Sequence, residues 1–149
     1  MLKLSGCHLQ QIISHAHQCY PEECCGLLIG HLKKTEKLVR EVFHTPNSWG
    51  EDFAGRIFSQ DGSKRDRFAI APAQLLHAQK TARTQNLSIV GVYHSHPNTT
   101  AIPSEFDRAI AWPEYSYLII SLQQSKATAL CWQINEQQQF QPEEIIKLP

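Results

Sequence analysis

Apolar positions along this chain change period several times, marking out alternating helices and strands. Between residues 8 and 19, Leu9, Ile12, Ile13, Ala16 and Cys19 fall on one helical face, which predicts an amphipathic helix. Residues 24–32 and 37–44 read instead as two strands, tightly connected near Lys33-Lys34-Thr35. The stretch 46–64, rich in polar residues, Gly and Ser, predicts an irregular loop of a length that often serves as a lid or binding segment. Inside it, Phe53, Ile57 and Phe58 are either anchors to the core or groups that grip a partner's extended tail. A short strand is expected at 67–71, followed by a helix that Pro72 opens and that runs to about residue 85. The apolar run 87–96 reads as a buried strand, and a further helix follows Ser104. Residues 115–122 and 126–134 read as two strands that can pair. The predicted class is α/β, a mixed sheet with helices against it, in one domain spanning 1–149.

Composition narrows the function classes. Formal net charge is zero, so no broad electrostatic footprint for nucleic acid is present. The one basic cluster, Lys64-Arg65-Asp66-Arg67, is interrupted by an acid and reads as solvated surface. No apolar stretch approaches the ~20 residues that span a bilayer, and the N-terminal residues lack a signal-peptide core, so a cytoplasmic location is expected. The five cysteines form no C-x-x-C pair. Cys24 and Cys25, being neighbours on a strand, face opposite ways and suit reduced packing. A cysteine nucleophile lacks support, because nothing in the sequence places a base beside either thiol.

The chemistry-bearing segment is residues 94–107. His94-x-His96 closes the apolar strand, Pro97 ends it, and Ser104-x-x-Asp107 opens the next helix. On a strand the two histidines share a face about 7 Å apart, and a bend at the strand end lets them converge on one ion. A helix start nearby brings Asp107 back to them. Two imidazoles and a carboxylate suit Zn2+, with an open fourth position for a water whose pKa the metal lowers towards ~7. Each piece also has a plainer reading. An H-x-H pair can arise by chance among eight histidines, and S-x-x-D is close to a helix capping box, a role compatible with metal binding. A general base is also needed. Glu22 and Glu23 precede the strand that begins at Cys24, either as such a base or as the polar end of a helix–strand turn.

Glu23-x-x-Gly26, His94-x-His96-Pro97, the seven-residue spacer to Ser104 and Ser104-x-x-Asp107 together resemble the JAMM motif of the MPN-domain metallopeptidases. The resemblance in organisation covers about residues 5–135. It implies a sheet flanked by helices, similar to cytidine deaminases, although the H-x-E and P-C-x-x-C ligands of a deaminase are absent. It selects Glu23 as general base and makes His94, His96 and Asp107 the ligands of one Zn2+, with a bound water as fourth ligand. It makes Ser104 a donor to the oxyanion, and Asn47 a candidate substrate-binding residue. The implied activity is hydrolysis after the C-terminal Gly-Gly of a ubiquitin-like protein. The short chain, and the lack of a further Cys/His cluster after Asp107, point to trimming of a sulfur-carrier precursor. The alternatives are a non-catalytic MPN scaffold that binds such tails, or a relative of the DNA-repair or phage-tail type. Neither nucleic acid nor membrane is an expected partner, and a homodimer is left open.

Overall fold

The computed structural model describes residues 1–51 and 62–149. Its described elements run β1 (Leu2–Ser5), α1 (Gly6–Cys19), β2 (Cys25–Lys33), β3 (Glu36–Thr45), α2 (Pro72–Thr84), β4 (Ser88–His96), α3 (Glu105–Ile110), β5 (Ser116–Ser121), β6 (Thr128–Ile134), β7 (Phe140–Glu143) and β8 (Ile145–Leu148). The strands form one eight-stranded mixed sheet in the order β7-β6-β5-β4-β2-β3-β1-β8. Pairing is parallel at β4–β5, β1–β3 and β1–β8, and antiparallel elsewhere. The expected α/β class with a mixed sheet is therefore the observed one. No helix of the described residues is long and apolar enough to cross a membrane.

Alternation along the strands divides the apolar side chains between two cores. On one face Cys24, Leu28, Tyr93, Leu118 and Ile120 pack with Ile12 and Ala16 of α1. On the other, Cys25, Leu27, Ile29, Val92 and Tyr117 pack with Ala78 and Ala82 of α2, and with Phe68. Gly26 shows why the E-x-x-G spacing ends in glycine. It pairs with both His44 and Tyr93, and a Cβ there would be driven into the Tyr93 ring. That ring reaches across to His15, with Oη 2.8 Å from Nδ1.

Ser5 caps α1, its hydroxyl accepting from His8 N, and Pro72 sits in the first turn of α2. α3 is short, ending at Ile110 before Pro113. The expected strand at 67–71 is not formed. Its backbone groups bond instead to the Asn47 side chain (from Arg67 O and Ala69 N) and to Ser48 N (from Ala69 O). β1, β7 and β8 are strands that the sequence reading lacked. Phe53, Ile57 and Phe58 lie outside the described residues.

Candidate metal centre

β4 carries His94 and His96 on the α2 side of the sheet, and both are buried. Ser95 points the other way and accepts a hydrogen bond from Cys24 N at 2.8 Å, which ties β4 to the residue after Glu23. Asp107 arrives from α3, where it forms a complete capping box with Ser104. The Ser104 hydroxyl accepts from Asp107 N at 3.1 Å, and Asp107 Oδ2 accepts from Ser104 N at 2.8 Å. The capping reading and the clustering reading of S-x-x-D thus hold together on the same residues.

Three donor atoms converge. His94 Nε2 lies 3.1 Å from His96 Nε2, and each lies 3.2 Å from Asp107 Oδ2. A tetrahedral ion with ligands at 2.0–2.1 Å requires donors about 3.3 Å apart, so the triangle is close to the size zinc asks for. The orientation of His96 points the same way. His96 Nδ1 donates to Thr100 O at 2.7 Å, so in the neutral ring the lone pair lies on Nε2, the atom aimed at the cluster. The three residues are a buried group able to hold a metal ion.

Burial and charge split the two acids. Burial opposes ionisation of Asp107. The charge of His94, hydrogen bonds from His94 and His96, and the Ser104 N–H outweigh it and hold the carboxyl well below its usual range. Glu23 is only 4 % exposed, whereas Glu22 is exposed. Burial first, then the charges of Asp107 and Asp66, push the Glu23 carboxyl up from 4.5 to about 9, against a smaller opposing pull from Arg67. Its Oε1 is buried without a hydrogen-bond partner among the described residues, as is His94 Nδ1.

The Glu23 shift makes a prediction about metal-free protein. A folded-state pKa near 9 against 4.5 means that the folded chain binds more protons than the unfolded one in between, so stability falls as pH rises. His15, lowered to about 4 by burial and then by His44, acts in a lower window. In chelator, the melting temperature is expected to fall from pH 6.5 to 8.5, and Glu23→Gln to flatten that slope. An equal slope in both proteins contradicts the burial argument.

An aromatic cleft of about 490 Å³ adjoins the centre, lined by Trp49, Phe68, Leu75, Phe106, Trp112 and Tyr117 among others. Phe68 stacks on the His94 ring at 4.5 Å, and Trp49 meets Phe106 edge-on at 5.1 Å. The Arg67 guanidinium lies 5.1 Å over Phe106. Trp112 at the cleft is 65 % exposed. The sequence reading missed Thr100, Arg67, Phe68 and Trp112 as parts of the site. Only Phe106, inside S-x-x-D, carried a local signal. Asn47 lies against backbone rather than open to the cleft, with its amide hydrogens on Glu23 O and Arg67 O.

Comparison with known proteins places the chain in a family. The family profile described as "Prokaryotic homologs of the JAB domain" matches residues 7–145. A Desampylase from Haloferax volcanii is 29% identical over 125 residues, 80% of each chain. Tail tip assembly protein K of Escherichia phage N15 is 26% identical over 117 residues, 71% of this chain but 39% of that one. A solution structure from Desulfitobacterium hafniense superposes with a TM-score of 0.83 at 31% identity, covering 99% of this chain and 93% of that one. A JAB1/MPN domain protein from Archaeoglobus fulgidus, at 15% identity, shares the fold with a TM-score of 0.59 over 100% and 98% of the two chains. The chain belongs to the prokaryotic JAB-domain family.

Proposed function

We propose that this chain is a zinc-dependent peptidase that cleaves after the C-terminal Gly-Gly of a ubiquitin-like protein, with a sulfur-carrier precursor as substrate. The observation that carries the reading is the buried triangle of His94 Nε2, His96 Nε2 and Asp107 Oδ2, matched to zinc in size. When bound there, Zn2+ supplies a Lewis acid that polarises a carbonyl and lowers the pKa of water. The remaining work falls to side chains of this chain. Thr100 O fixes the His96 tautomer, and Ser104 N fixes Asp107. Glu23 takes the proton of the attacking water and returns it to the leaving amine. Cationic charge in the triangle offsets that of Asp107 and so favours the ionised Glu23 that a base requires. Ser104 uses a lone pair to cap α3, which leaves its hydroxyl proton for the oxyanion of the tetrahedral intermediate.

Substrate class is supported by the Desampylase likeness and by the aromatic cleft beside the centre, which suits an extended tail. The phage likeness favours a second reading, the same chemistry on a tail-assembly protein, but it spans only 39% of that relative. Chelation is expected to abolish cleavage of a Gly-Gly-extended carrier, and added Zn2+ to restore it, with circular dichroism unchanged. Cleavage that survives chelation contradicts the metal-dependent reading, and absence of cleavage with bound carrier favours a scaffold.

A further inference from the structure

We propose that Asn47 is a positioning residue for the cleavage reaction, knotting three backbone segments so that Glu23 and the aromatic wall at His94 share one frame. This role rests on the peptidase reading of the site. Asn47 Nδ2 donates to Glu23 O at 3.0 Å and to Arg67 O at 2.9 Å, with Lys64 O beside them at 3.5 Å. Oδ1 accepts from Trp49 N at 3.1 Å and from Ala69 N at 3.2 Å. An asparagine amide has two N–H donors and two oxygen lone pairs, so this set leaves nothing to offer a substrate. Flipping the amide would set donor against donor, which fixes its orientation.

Two direct bonds close the knot, Glu23 N to Lys64 O at 2.7 Å and Ser48 N to Ala69 O at 2.9 Å. Glu23 precedes β2, so the strand ladder does not hold it. Both of its backbone polar groups go to this knot instead, one to Lys64 O and one to the Asn47 amide. The same knot carries Phe68 against His94, Trp49 against Phe106, and Arg67 over Phe106. One side chain therefore sets the base and the cleft wall relative to the metal seat. Misplacing a catalytic group by about 1 Å can cost on the order of 100-fold in rate.

Two variants test this. Asn47→Asp keeps the size and the acceptors but sets a carboxylate against the Glu23 and Arg67 carbonyls, and Asn47→Ala removes the knot without adding charge. Cleavage rates, zinc content and residue-resolved amide exchange are measured together. The expected result in both variants is a kcat lowered about 100-fold with KM within about threefold and zinc retained. In Asn47→Ala the amides of Glu23, Trp49 and Ala69 are expected to lose protection while those of β4 keep it, and in Asn47→Asp, which retains the acceptor for Trp49 N and Ala69 N, the Glu23 amide is the one expected to lose it. A raised KM with normal kcat would make Asn47 a substrate contact and overturn the proposal, and loss of zinc would make it a support for the metal. Protected Glu23 and Ala69 amides in both variants would remove the knot itself. If the wild-type protein cleaves no carrier, the peptidase reading fails, and the exchange data still decide whether Asn47 holds Glu23.

Discussion

Glu23→Gln is expected to keep the metal and lower kcat on a Gly-Gly-extended carrier by about 10³-fold, within the range that general acid–base catalysis supplies. Metal should stay because Glu23 is not one of the three converging donors. Folding should survive as well. Burial and the charge of Asp107 already oppose an ionised Glu23, so a neutral amide of the same shape removes a strained charge rather than a stabilising one. What the amide lacks is a site to take a proton from water. Wild-type turnover in this variant removes Glu23 from the mechanism. Loss of zinc places it in the metal seat instead.

Asp107 carries the second large effect, and two substitutions separate its roles. One oxygen, Oδ2, accepts the Ser104 N–H and also completes the triangle with both histidines. Asp107→Ala removes a cap, worth about 1 kcal/mol, and the proposed ligand. Asp107→Asn keeps an oxygen for Ser104 N but brings no negative charge to the metal. Both are expected to lower zinc affinity by more than about 100-fold, beyond what loss of an outer-shell partner costs. Elemental analysis after dialysis against a weak chelator measures it. If Asp107→Asn keeps stoichiometric zinc while Asp107→Ala loses it through a frayed α3, then Asp107 is a cap and not a ligand.

The parts of this site that the sequence reveals are those with local causes. Strand alternation puts His94 and His96 on one face, Pro97 stops the strand, and Ser104 starts a helix whose first turn holds Asp107. The β2–β3 hairpin and α2 are legible for the same reason, through short-range periodicity and a Pro at the helix start. Glu23 differs, since spacing alone does not distinguish it from Glu22. The JAMM resemblance selects it, and in the fold Glu23 is buried while Glu22 is exposed.

Elements built from distant partners were not legible. β1 gains its place by lying parallel to β3 and β8, a pairing that leaves no short-range signature in four residues. β8 follows β7 after Glu144 alone yet lies on the opposite edge of the sheet, so the sheet curls until its edges meet, with Leu2 N bonded to Glu144 O at 2.8 Å. Residues 67–71 have strand-like composition, but the Asn47 amide and Ser48 take their backbone groups and hold them as an unpaired wall. Phe68 reaches His94 across 26 positions of sequence, and nothing local marks that contact.

The most direct test of the central claim is intact-mass spectrometry of sulfur carriers bearing residues beyond Gly-Gly, incubated with the zinc-loaded protein and with Glu23→Gln. The account predicts a mass loss ending at the second glycine with the wild-type chain and none with the variant. Unchanged mass for every carrier, with zinc bound stoichiometrically to His94, His96 and Asp107, would contradict the proposed substrate and leave a metal centre whose target is another protein.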